Sequence, residues 1–304
     1  MFNTLLKTLS YFPKVPGKLK LAYQCARSPF FRWVGPGHYY SPFPDMDEVA
    51  QRMSYIFQPT GFDLAGIDLR ADTQKQLLRE FIPYYARPLI ERSHNPDSRY
   101  FRPNVSFHFQ DAFTLYAMLR HLRPKRLVEV GCGMSSCVIL DSCEKLQLAT
   151  TLTFIDPHPD FMLKLIRSTD HARFELRPAC IQDVPFEVFA QLDSGDILFI
   201  DTSHSSKIGS DVNHIFFRIL PFLKKGVFVH FHDIWYPFEY PVDWLHRGMF
   251  WNEAYLLRAF LMFNQDFQIV LFNNFVNQFM IDEIRTNFPL FLDEPGGSIW
   301  LQRV

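Results

Sequence analysis

Beyond residue 124 the apolar positions follow two alternating rhythms. Short, nearly continuous apolar runs at 126–130, 152–155, 173–176, 196–200, 226–231, 267–272 and 299–302 read as strands buried on both faces. Between them, 135–146, 160–168, 185–191, 211–220 and 252–263 carry helical spacing; in the fourth of these Val212, Ile215, Phe216, Ile219 and Leu220 share one face. Strand–helix alternation of this kind predicts an α/β fold, a Rossmann-like doubly wound sheet of seven strands with helices on both faces. Upstream, Ala112, Leu115, Tyr116, Leu119 and Leu122 keep i, i+3, i+4 spacing and stop at Arg123-Pro124, which predicts one helix leading into the sheet. Residues 1–104 are rich in Pro and aromatics, with helical stretches at 47–57 and 72–85 and no alternating pattern. They are expected to form a mostly helical cap, with 105–304 as the main domain.

Composition narrows the class of partner. The chain has 304 residues, 48% hydrophobic and 21% charged, which suits a packed globular protein. Lys plus Arg is 31 against 32 Asp plus Glu, so charge favours neither nucleic acid nor an anionic membrane, and a small molecule is the expected partner. No apolar run approaches a bilayer span. The start, with Lys7, Lys14, Lys18 and Lys20 among apolar residues, lacks the continuous apolar stretch of a signal peptide. Cys25, Cys132, Cys137, Cys143 and Cys180 form no metal-ribbon spacing. A cytoplasmic location is the expectation, and a homo-oligomer is compatible with it.

In doubly wound sheets ligands bind beyond the carboxyl ends of the strands, where strand order reverses. Four predicted strands end in polar residues: Glu129-Val-Gly-Cys-Gly133, Asp156-Pro-His158, Asp201-Thr-Ser-His204 and His230-Phe-His-Asp233. Gly131 and Gly133 stand where a strand turns into a helix, and Ser135-Ser136 are residue types that start helices. The run lacks the third Gly of the dinucleotide fingerprint. Glu129 places a carboxylate beside the turn, which suits an amino group and repels a pyrophosphate. Asp156 stands where a carboxylate accepts both hydroxyls of a ribose. Together these residues resemble the cofactor site of class I S-adenosylmethionine-dependent methyltransferases. That resemblance implies cofactor contacts from Glu129, Gly131, Gly133, Ser135, Asp156 and Asp201, with Asp183 in the region that reads the adenine.

The fourth and fifth strand ends resemble the sugar O-methyltransferases of macrolide biosynthesis, whose fourth strand ends in Asp-x-x-His and whose fifth ends in a pair of acids. Carried over, His204 is the general base and Asp201 a second catalytic group, while Asp201, His232 and Asp233 are candidate ligands for a divalent cation. His232 stands where that family has its first acid. Magnesium prefers oxygen ligands, whereas imidazole suits zinc, iron or manganese better, so the identity of the cation stays open, with magnesium or manganese expected. The acceptor expected is a small molecule such as a sugar or polyketide hydroxyl. Trp235-Tyr-Pro-Phe-Glu-Tyr-Pro241, with Trp244, Trp251, Asn252, Glu253 and Tyr255, is read as an acceptor lid; 35–42 and 99–104 are read as closing the site from the cap side. His230 is read as structural, and Asp211 as a helix cap. The pattern from His38-Tyr-Tyr-Ser-Pro to Trp251-Asn-Glu253 is similar to bacterial class I methyltransferases of unassigned substrate. Three other readings compete: an NAD-dependent enzyme, a metal-dependent hydrolase built on Asp201, His204, His232 and Asp233, and a non-catalytic cofactor-binding protein.

Overall fold

The computed structural model describes residues 33–58, 61, 63–85 and 98–304. The basic-aromatic start lies outside them. The chain divides into two compact units, Met1–Pro59 and Thr60–Val304. In the first, Asp45 caps helix α1 (Met46–Gln51) by accepting from the backbone N–H groups of Asp47 and Glu48, and α2 (Met53–Ile56) follows. The expected site-closing residues at 35–42 belong to this unit, where His38 stacks on Tyr39 and both rings meet Tyr40 at a tilt.

The second unit is built on a seven-stranded sheet of order β3-β2-β1-β4-β5-β7-β6. Its strands are β1 (Arg126–Val130), β2 (Thr151–Ile155), β3 (Phe174–Arg177), β4 (Ile197–Ile200), β5 (Phe228–His232), β6 (Phe267–Phe272) and β7 (Ser298–Arg303). All seven predicted strands are present. β1 to β5 pair in parallel, and β7 runs antiparallel to both β5 and β6. The α/β doubly wound reading is therefore correct.

The helices are α3 (Ala71–Tyr85), α4 (Phe109–Leu122), α5 (Met134–Lys145), α6 (Asp160–Leu165), α7 (Glu187–Ala190), α8 (Asp211–His214), α9 (Val242–His246), α10 (Glu253–Leu261), α11 (Asn273–Phe279), α12 (Ile281–Asn287) and α13 (Leu290–Asp293). Helix α8 continues as a π-helical turn over Ile215–Ile219. Its N-cap is Ser210, whose hydroxyl accepts from Asn213 N–H; Asp211 instead accepts from the backbone and hydroxyl of Ser203. Helices α11 to α13 fill the β6–β7 connection and were not anticipated. They are held by aromatic packing: Tyr85 meets Phe109, Phe113, Phe288 and Phe291 edge-on. A buried polar knot at Asp111 accepts from Asn273, Ser298 and the N–H of Gly297, joining α4, α11 and β7.

Helix α3 and residues 98–104 lie in the larger unit, so the sequence-derived boundary at residue 104 falls inside it. The 99–104 segment is a structural tie rather than a closing flap. Arg99, 4% exposed, pairs with Asp141 at 2.6 Å, Asp170 at 2.5 Å and Glu144 at 2.8 Å. Arg102 lies over the Phe109 ring and pairs with Glu294. Arg99→Ala leaves Asp141 and Asp170 buried without their cation, and should cost about 3–5 kcal/mol at neutral pH. Burial opposes ionisation of Asp170, but the hydrogen bonds from Arg99 and the Arg167 N–H, with the charges of Arg99 and Arg173, together outweigh it; the Arg99 guanidinium also lowers Glu144. Depressed carboxyls add stability that is complete above their unfolded values and is lost as pH falls through the folded ones. Urea unfolding should therefore show the gap between wild type and Arg99→Ala narrowing below about pH 4. A gap that holds constant on acidification would refute this role for Arg99.

Candidate active site

Strand register aligns the chemistry. Val130 pairs with Ile155 and Ile200, and Ile200 with Phe231, so the next residues, Gly131, Asp156, Asp201 and His232, form one row at the carboxyl edge of the sheet. The order reverses between β1 and β4, the position at which doubly wound sheets open a crevice. A pocket of about 420 Å³ opens there, lined among others by Gly131, Asp156, Ile181, Gln182, Asp201 and Thr202.

Gly131 has φ +86°, and a Cβ on it would stand 1.6 Å from the carbonyl oxygen of Asp201. Only glycine lets the turn pass over β4. Gly133 is extended, and a Cβ there would meet only the Phe161 ring at 3.7 Å. Gly133 is the N-cap of α5, and Ser135 and Ser136 lie inside the helix with hydroxyls donated to Glu129 at 2.6 and 2.5 Å. Glu129 is fully buried and lines no part of the pocket. Burial pushes its carboxyl up to about 8, against the pull of the two serine hydroxyls. It ties the strand to the helix start, whereas the sequence reading had it facing an amino group. Asp156 accepts from the N–H groups of Cys132 at 2.8 Å and His158 at 2.6 Å, bracing the turn while bordering the pocket. Asp183 is exposed and outside the lining; its neighbour Gln182 borders the pocket and donates to the carbonyl of Gly209 at 2.7 Å.

On the β4–β5 side His204 Nε2 stands 3.3 Å from Asp201 Oδ1 and 3.6 Å from Asp233 Oδ2, and one ligand atom from each of the three fits within 4.8 Å. His232 is buried behind them, 3.6 Å from Asp233 and against the Phe107 ring, outside that cluster. The structure thus gathers Asp201, His204 and Asp233, where the sequence reading grouped Asp201, His232 and Asp233. His204 and Asp233 both have left-handed backbone, φ +54° and +55°, uncommon for non-glycine residues. Burial works against a charged His204, but hydrogen bonds to Asp201 and Glu253 outweigh it and hold the imidazole well above its ordinary value. Burial raises Asp233; for Asp201 the fields of His232 and His204 overcome it and lower the carboxyl. His230 stacks on Phe199 at 3.9 Å and is kept neutral by burial, as a structural residue should be.

Much of the expected lid is core: Tyr236, Phe238 and Tyr240 are buried. Of the lid aromatics, Trp251 packs on the cluster, its ring 4.4 Å from that of His204. The residue that sequence reasoning missed is Glu253, whose carboxylate reaches His204 Nδ1 at 2.9 Å across 49 positions of chain. Its signal was its place directly after Trp251-Asn252, which had been assigned to the lid.

Residues 128–234 match a family model described as a methyltransferase domain. An uncharacterized protein of Archaeoglobus fulgidus is 31% identical over 168 residues, which are 53% of this chain and 75% of the relative. The chain carries a methyltransferase domain over residues 128–234. Among solved structures, this methyltransferase is similar to an O-methyltransferase from Bacillus cereus in complex with SAH, at 12% identity over 84% of this chain and 97% of that one, TM-score 0.43. It is also similar to the O-methyltransferase TomG from Streptomyces achromogenes, in complex with SAM, at 13% identity over 84% and 96% of the two chains, TM-score 0.43. Among the described residues of the methyltransferase, no helix is long and apolar enough to cross a membrane.

The two glycines of the turn should separate cleanly. Gly131→Ala forces β1 and β4 apart and adopts a strained φ, so it should lose roughly 3 kcal/mol or more or fail to fold, while Gly133→Ala should stay within about 1 kcal/mol of wild type. Thermal unfolding of both variants checks this. Equal destabilisation would contradict the geometry given for the turn.

Proposed function

We propose that this methyltransferase moves the methyl group of S-adenosylmethionine to a hydroxyl oxygen of a small-molecule acceptor at the Asp201–His204–Asp233 cluster. The observation that carries this reading is the double membership of Asp201: it lines the cofactor pocket and it is one of the three groups around His204 Nε2. A cofactor seated beside Asp156 and Gly131 therefore has its neighbour across Asp201 in an imidazole with acidic flanks.

The pocket fits the cofactor in size and in its acidic residue after β2, and a side chain at Gly131 would be incompatible with the turn that frames it. When bound, S-adenosylmethionine supplies an electrophilic methyl on a sulfonium. The chain's own residues do the rest. The Asp156 carboxylate retains lone pairs beyond those taken by Cys132 and His158, and these accept from ribose hydroxyls. At a pH above the raised value of His204, where the ring is neutral, its Nε2 takes the acceptor's hydroxyl proton as the oxygen–methyl bond forms and the sulfur–methyl bond breaks, and Asp201 and Asp233, which favour the charged ring, stabilise the resulting imidazolium. A base so placed contributes roughly 10² to 10⁴ in rate. Trp251 offers a flat apolar wall at the cluster, suited to a sugar face or a planar polyketide ring.

A second reading rests on the convergence of the three ligand atoms. Two carboxylates and an imidazole form a donor set for a divalent cation, manganese more than magnesium because of the nitrogen. With a cation bound, the acidity of the hydroxyl comes from coordination. Nε2 cannot serve as both ligand and base, so the two readings exclude each other.

Titration calorimetry should show SAH binding and no NAD binding, and labelled methyl from S-adenosylmethionine should enter a hydroxyl compound of the source organism's extract. His204→Ala should cut transfer by roughly 10² to 10⁴ while SAH still binds. Chelator should leave transfer intact if His204 is the base; loss that manganese restores would select the cation reading. NAD binding without SAH binding, or full transfer by His204→Ala, would sink the proposal.

A further inference from the structure

Glu253 opens helix α10, and its side chain is 1% exposed. An acid in the first turn of a helix ordinarily faces water and gains from the helix dipole. This one is turned inward. Its Oε2 lies 2.9 Å from His204 Nδ1, and among the described residues Oε1 has no hydrogen-bond partner. A buried carboxylate carries a desolvation cost of several kcal/mol in general, and here, among the described residues, the His204 imidazole is the side-chain partner that offsets it.

The backbone around this pair is arranged for the same contact. The N–H groups of Asn252 and Glu253 both donate to the carbonyl oxygen of His204, at 3.1 and 3.2 Å. Asn252 brackets Ser206, accepting from its N–H at 2.6 Å and donating to its carbonyl at 3.2 Å. Trp251 covers the face of the imidazole. Residues 251–253 therefore grip the loop after β4 through backbone, side-chain and ring contacts, with His204 in its left-handed conformation and its Nδ1 against Glu253.

We propose that Glu253 is a positioning residue: it holds the Nδ1–H of His204 and so presents Nε2 to the gap between Asp201 and Asp233. A neutral imidazole has one N–H, and the partner of one nitrogen decides what the other can do. With Nδ1–H donated to Glu253, Nε2 is the atom that exchanges a proton with the acceptor or ligates a cation. This rests on the reading of His204 given above, and it names the group that makes that reading work.

The test uses the full chain labelled with [15N]histidine, with SAH added. Wild type should show a ring N–H resonance far downfield and slow to exchange with water, assigned to His204 Nδ1 by its absence in His204→Ala. It should vanish in Glu253→Ala and move upfield in Glu253→Gln, because a neutral acceptor makes a weaker bond than a carboxylate. SAH should bind both Glu253 variants, which reports that they fold. Labelled methyl transfer into extract should fall roughly 10²-fold in Glu253→Gln, since a neutral amide oxygen holds the Nδ1 proton more weakly than a carboxylate does. A wild-type His204 whose Nδ1 carries no protected proton, or a resonance unchanged in Glu253→Gln, overturns the proposal. Absence of SAH binding to wild type defeats the methyltransferase reading instead, and leaves the ring-nitrogen result standing by itself.

Discussion

The passage of the Gly131 turn over the carbonyl of Asp201 is the constraint on which the rest of the structure depends. Asp201 N–H donates to Val130, and a side chain at Gly131 would occupy the space of the Asp201 carbonyl oxygen, so β1 and β4 meet as closely as two strand ends can. That contact sets the reversal of strand order. It brings the turn that frames the pocket and the loop that carries His204 onto a single residue, Asp201. Had β1 paired elsewhere, a pocket and an acidic cluster could both exist without sharing a wall.

Two buried acids show how the fold uses charge near this point. Glu129 ties β1 to the start of α5 through two serine hydroxyls, and Glu253 ties α10 to His204. Neither faces water and neither lines the pocket. Each is a polar group whose burial is compensated by a specific partner, which fixes the direction of the neighbouring backbone. Arg99 does the same on the far side of α5, where its three carboxylate partners join segments distant in sequence.

Strands β1, β2, β4 and β5 were legible because each is a short apolar run ended by Gly, Asp or His, and burial on both faces leaves no alternation to confuse the pattern. Asp156 and Asp201 were legible as strand-end acids. Helices α11 to α13 were not, because Phe275, Val276, Ile284, Phe288 and Phe291 are spread across three short helices, each below the length at which helical spacing stands out. The environment of Glu129 could not be read either: a strand-end acid looks the same whether it meets solvent or two hydroxyls. His204 was read as the base and His232 as the ligand beside Asp201 and Asp233, and nothing in the linear pattern shows that it is His204, in its left-handed turn, whose ring meets both acids. Glu253 was hidden by distance along the chain.

Cofactor and cluster are proposed to share one site through Asp201. A crystal structure of the SAH complex tests it most directly. SAH should lie along Asp156 and Gly131 with its sulfur turned toward His204 and Asp233. SAH bound elsewhere, or seated in this pocket with its sulfur turned away from His204, would contradict it.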